Sequence, residues 1–97
     1  MLDPSFLTAN DYNLLNVDLS TARTDALIAD RVVALAVVEA SAGAQYSLKL
    51  FNPAKPSIDH TIARVGFTLE GIALANVYIS NPALTGEYVK LFVLRWL

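Results

Sequence analysis

Apolar and polar residues alternate along most of this chain at a spacing near two, the period of an extended strand with one buried face. The last ten residues (88–97, YVKLFVLRWL) carry this pattern furthest. Val89, Leu91, Val93 and Leu97 fall on one face, with Arg95 interrupting them, and Tyr88, Lys90, Phe92, Leu94 and Trp96 fall on the other. A half-buried strand keeps one face polar, yet both faces here become apolar towards the end. A small domain has one core to offer, so the second row calls for another sheet or another chain.

The earlier segments predict short strands and little helix. Residues 1–12 hold the breakers Pro4, Asn10 and Asp11 around the apolar Leu2, Phe6 and Leu7. They read as a frayed terminus or as an irregular arm that docks Phe6 and Leu7 on a neighbouring subunit. Residues 13–19 alternate loosely, with Leu15, Val17 and Leu19 to one side. Ser20 is a candidate helix cap for 20–30, but Leu27 and Ile28 make too little stripe, and a structured loop with at most one helical turn is expected. An Arg23–Asp25 ion pair would fix that loop. Residues 31–40 (RVVALAVVEA) are valine-rich and apolar on both sides, which predicts a strand covered on both faces. After a turn at 41–44 comes the cleanest alternation, 45–51, with Tyr46, Leu48 and Leu50 inward; the two runs read as an antiparallel hairpin.

Two prolines make 52–59 a loop. Residues 64–69 predict a strand with Phe67 and Leu69 on one face, and 75–80 one with Val77 and Ile79 inward and Tyr78 outward. Pro82 and Gly86 punctuate a loop at 81–87 that returns the chain to its last strand. About six short strands give an all-β fold, a small antiparallel β-sandwich or jelly-roll-like barrel, built by 13–97 as a single domain behind the 1–12 arm.

Composition sharpens one point. The 97 residues are 55% hydrophobic and 16% charged, against ordinary values of about 45–50% and about 25%. A chain this short buries a smaller share of its surface than a larger domain does. The apolar surplus therefore predicts a subunit interface and a homo-oligomer. The seven basic residues are scattered and the net charge is -2, which speaks against a nucleic-acid partner. The start, MLDPSFLTAND, lacks the basic and apolar runs of a secretory signal, and the longest apolar stretch, 32–38, is short for a membrane span, so no membrane partner is expected.

Chemistry is sparse. With no cysteine, thiolate zinc sites, disulfides and a cysteine nucleophile are excluded. His60 is the lone histidine, and a triad would need it with Asp59 and Ser57 or Ser80. Adjacent Asp59 and His60 point to opposite sides of an extended chain, and no serine sits in a nucleophile elbow. One histidine cannot build a cupin-type metal site. The dispersed carboxylates suit solvated turns better than a glycosidase pair, and the glycines at 43, 66, 71 and 86 form no phosphate loop. No catalytic residue, metal or cofactor is expected. The aromatics Tyr78, Tyr88 and Trp96 offer an alternative, a glycan- or ligand-binding module, although strand aromatics are more often core or interface.

Two stretches carry a resemblance. VDLSTARTD (17–25) and VYISNPALTGEYVKLFV (77–93) resemble segments of small virion structural proteins of tailed bacteriophages, in which a similar loop precedes a hydrophobic strand and an Asn-Pro-Ala turn leads into the final strand. The two segments together cover about a third of the chain and hold no catalytic signature. The resemblance implies a compact β-sandwich packed in many copies on a capsid, tail or fibre, with itself and other virion proteins as partners. It would be soluble in the host cytoplasm before assembly. The aromatic ending FVLRWL departs from that pattern and makes the last strand more interface-like. The expected interface residues are Phe6, Leu7, Phe92, Leu94 and Trp96.

Overall fold

The computed structural model describes residues 9–52, 55–60, 65–69 and 74–97. They form seven strands: β1 (Asp11–Asp18), β2 (Arg23–Ala40), β3 (Ser47–Asn52), β4 (Lys55–His60), β5 (Thr68–Leu69), β6 (Ala75–Asn81) and β7 (Tyr88–Arg95). Every pairing is antiparallel, in the order β1-β7-β2-β6-β3-β4 with β5 beside β2. The all-β antiparallel class expected from the alternation is the one found.

Strand β2 folds this sheet in two. Its first half pairs with β6 and its second half with β7, the change of partner falling at Val32. The register slips three times along the β6 pairing, and Asp25 and Arg31 sit at positive φ, 46° and 54°. Non-glycine residues rarely adopt that conformation, and the bulges they mark bend a strand and increase its twist. The β1–β7–β2–β5 half therefore faces the β2–β6–β3–β4 half across one core. Val17, Leu35, Val37, Val89, Leu91 and Val93 enter it from the first half, and Leu48, Leu50, Val77 and Ile79 from the second. Each such leucine or isoleucine contributes about 1.5–3 kcal/mol on burial. Val89, Leu91 and Val93 are the core face that alternation predicted for the last strand, and Val77 and Ile79 likewise for β6.

Five expectations need correction. Residues 23–30 are strand, not loop: Ile28 and Ala29 both pack on the core while Leu27 faces out. The bulges that bend β2 break its period of two, so alternation did not show there. Arg23 does not pair with Asp25; its guanidinium donates to the Thr21 carbonyl and to Asn81 Oδ1. Residues 31–40 and 45–51 are not a hairpin, because β6 lies between β2 and β3. The second half of β2 is already flanked by β7 and β5, which leaves β3 no edge to join. Residues 55–60 are a strand despite Pro56, because β4 is the end strand of the sheet, where a missing N–H breaks no ladder. Finally, Leu97 lies beyond β7 and is exposed rather than on its core face. The strand's inward row ends at Arg95, which donates to Asp30 and Asp11 at the end of the sandwich.

Two smaller differences concern ends. Only Thr68 and Leu69 of the 64–69 segment are strand, and Arg64 lies outside the described residues. β1 begins at Asp11, inside the stretch assigned to the arm, whereas Phe6 and Leu7 lie outside the described residues.

Candidate association surface

The face of β1, β7 and β2 turned away from the core is built by register. β7 is the central strand: Phe92 stands opposite Leu14 of β1 and Ala36 of β2, and Leu94 stands opposite Tyr12 and Ala34. Two parallel rows result, Leu14–Phe92–Ala36 and Tyr12–Leu94–Ala34, without a charge in either. Tyr12 is 74% exposed and Leu14 55%. Phe92 and Leu94 are half-buried under their neighbours, and the Tyr12 ring leans on that of Phe92 at 6.2 Å between centroids. Val38, displaced by a slip in the β2–β7 register, adds another exposed apolar side chain. Trp96 and Leu97 extend the apolar surface past the end of β7. Asn10 holds that end in place: its amide donates to the Leu97 carbonyl at 2.9 Å and accepts from the Leu97 N–H at 2.7 Å.

One border of this face is polar. Asn16, Lys90 and Glu39 form the next row across the sheet. The Lys90 ammonium lies 3.5 Å from the Glu39 carboxylate and 5.7 Å from the Tyr88 ring centre. Tyr88 donates its hydroxyl to Glu39 at 2.6 Å. That hydrogen bond, helped by the Lys90 charge, holds the Glu39 carboxyl below its ordinary value. The same bond, with the Glu39 charge, pushes the Tyr88 phenol above its own. Asp18 is likewise held low, by the Ser20 hydroxyl and backbone N–H. An apolar centre with a polar rim is the anatomy of a protein–protein contact.

The outer face of the opposite half is mixed. Leu27, Tyr78 and Lys49 form one row there, with Asp25 and Phe51 around a shallow groove. Tyr78 is thus on the other layer from Tyr88 and Trp96, and the three aromatics make no common stacking platform. Of the hypothetical triad, Ser80 and His60 are on strands that do not adjoin. Ser80 lies in β6 and His60 in β4, with β3 between them, a separation of about 9–10 Å at ordinary strand spacing. The Ser80 hydroxyl is engaged by Asp25, accepting from its N–H and donating to its carboxylate.

Glu87 also has structural partners: it accepts from the Ser41 hydroxyl and the Gly43 N–H, clamping the turn after β2 to the turn before β7. Among the described residues no three metal-ligating side chains converge, and no helix is long and apolar enough to cross a membrane.

Of the expected interface residues, the structure brings Phe92 and Leu94 together and sets Trp96 beyond them at the same end. Tyr12 and Leu14 complete the face and were missed. The available signal was Leu14, apolar at the opposite phase from Leu15 and Val17 in a strand otherwise read for one face only. No protein-family model matches this chain, and no curated protein or solved structure is significantly similar to it.

Proposed function

We propose that this protein is a non-enzymatic structural component of a virus particle, a capsid-decorating, head, tail or fibre protein that works by associating with itself and with other virion proteins. The observation that carries the association is the uncharged outer face of Tyr12, Leu14, Phe92 and Leu94, on the side of the sheet away from the core. Apolar surface gathered on one face of so small a fold is stabilised by contact with another chain. Symmetric closure satisfies such surfaces in oligomers. The virion setting rests on the resemblance of 17–25 and 77–93 to phage structural proteins: 17–25 leads out of β1, and 77–93 leads through β6 into β7 and includes Phe92 of the surface.

The test is protein mass spectrometry on purified particles from a lysate whose viral genome encodes this chain. The chain should be present in many copies per particle and remain bound through density-gradient purification. Its absence from washed particles, with the protein abundant in the soluble fraction, contradicts the reading.

A further inference from the structure

The free edge of β1 is more specific than the face beside it. Among the described strands β1 and β4 end the six-strand path, and the two-residue β5 and the first half of β2 each also have one unpaired side. β4 carries Lys55 and Pro56 and a slip in its register with β3, all devices that discourage another strand from pairing. β1 has none of them. Its eight residues, DYNLLNVD, hold no Lys, Pro or Gly, and its register with β7 runs from Asp11 to Asp18 without a shift.

The backbone groups that face this edge can be assigned. The Trp96 N–H donates to Arg31, the Tyr88 carbonyl accepts from Ser41, and the Tyr88 N–H donates to the Ser41 hydroxyl, so even-numbered positions at the ends of β7 turn their polar groups towards β2. Odd positions turn towards β1: the carbonyls of Glu87 and Arg95 accept from Leu19 and Asn10. Antiparallel pairs alternate between hydrogen-bonded and non-hydrogen-bonded positions. The odd residues of β1 are therefore spent on β7, and Tyr12, Leu14 and Asn16 direct their N–H and C=O groups to the edge that no described strand occupies.

We infer that this edge pairs with β1 of a second copy, antiparallel, about a two-fold axis at Leu14. The inference deepens the assembly reading and rests on it. A two-fold axis perpendicular to the sheet keeps each face continuous, which requires outward residues to oppose outward residues. Centred on Leu14, the register sets Leu14 against Leu14 of the second copy, Tyr12 against Asn16, and Asn13 against Leu15. Asp11 meets Val17, and Asp18 meets Asn10, so no like charges oppose one another. The row Ala36–Phe92–Leu14 then continues through the axis into its own mirror order, one apolar row spanning both copies. Shifting the axis to Leu15 sets Leu14 against Asn16 and breaks that row.

The absence of native cysteine makes the test clean. Opposed residues of a hydrogen-bonded antiparallel pair lie about 5.5 Å apart at Cα, within the roughly 4.4–6.8 Å that a disulfide spans. Leu14→Cys should oxidise to a covalent dimer of twice the 10.5 kDa chain mass, whereas Leu27→Cys, equally exposed on the opposite layer, should stay uncrosslinked. Leu14→Lys and Asn16→Pro should both reduce the dimer to monomer by light scattering with the β circular-dichroism spectrum unchanged. If the wild type associates but Leu14→Cys crosslinks no better than Leu27→Cys, the edge is not the contact, and the inference falls while the assembly reading stands. A wild type that stays monomeric overturns both. Slow hydrogen exchange at the Tyr12, Leu14 and Asn16 amides in the Leu14→Lys monomer would show the edge covered within one chain, which also overturns the inference.

Discussion

Leu14 and Phe92 stand directly opposite each other across the β1–β7 pair, on the side away from the core. Their sequence neighbours Leu15 and Leu91 are opposed in the same way on the inner side, where Leu91 is wholly buried. Two adjacent leucine-containing pairs thus belong to two different surfaces, one internal to the fold and one available to another molecule.

Substitutions on β7 should separate these surfaces. Leu91→Ala removes side-chain volume from a closed core and should lower unfolding free energy by roughly 2–5 kcal/mol. Leu94→Lys places a charge on the outer face and should leave the melting temperature nearly unchanged while reducing the mass of assemblies, because a charge in an apolar contact is desolvated without a partner. Thermal unfolding and solution mass, measured on both variants, check this. Unfolding by Leu94→Lys with an intact Leu91→Ala would mean that the faces are reversed.

Asn81 should be the most sensitive polar residue among the described side chains. It is buried at the end of β6, and its amide donates to the carbonyls of Leu19, Thr21 and Pro82 while its oxygen accepts from Arg23. Asn81→Ala removes three donations at once. Leu19 keeps its bond from the Leu84 N–H and Thr21 its bond from Arg23, so the cost is about 0.5–1.5 kcal/mol for each bond not replaced by water. Urea unfolding measures it. A loss below a few tenths of a kcal/mol would show that solvent already serves those carbonyls.

The polar rim predicts a titration. The Tyr88 hydroxyl bonded to Glu39 lowers the carboxyl below its ordinary 4.5. A carboxylate with a depressed folded-state pKa adds stability above its unfolded value, and that contribution is lost as pH falls through the folded value. For Tyr88, raised above 10.0 by the same bond, the contribution is present below 10 and is lost as pH climbs through the folded value. Side-chain NMR of Glu39 should give a midpoint under 4.5, moving up in Tyr88→Phe. An unmoved midpoint would show that the hydrogen bond does not set it.

Much of the fold was legible where alternation was undisturbed. Leu48 and Leu50, Val77 and Ile79, and Val89, Leu91 and Val93 all face the core as their spacing required. The first half of β2 was not legible, because bulges at Asp25 and Arg31 shift which residues face inward. Pro56 hid β4 for a different reason: proline signals a loop unless the strand is known to be an edge, and edge position is a property of the sheet. The outer face was half legible. Phe92 and Leu94 announce a second apolar row in their own strand, but their partnership with Tyr12 and Leu14 depends on a pairing between residues about eighty positions apart, fixed only by the β1–β7 register.

The most direct test of the account is the solution mass of the unmodified protein. Multi-angle light scattering, over a concentration series reaching tens of micromolar, should give a weight-average mass at or above twice 10.5 kDa. It should fall on dilution only if the contact is weak. A mass of 10.5 kDa at every concentration would mean that the apolar face of Tyr12, Leu14, Phe92 and Leu94 is tolerated in water, and self-association would have to be abandoned.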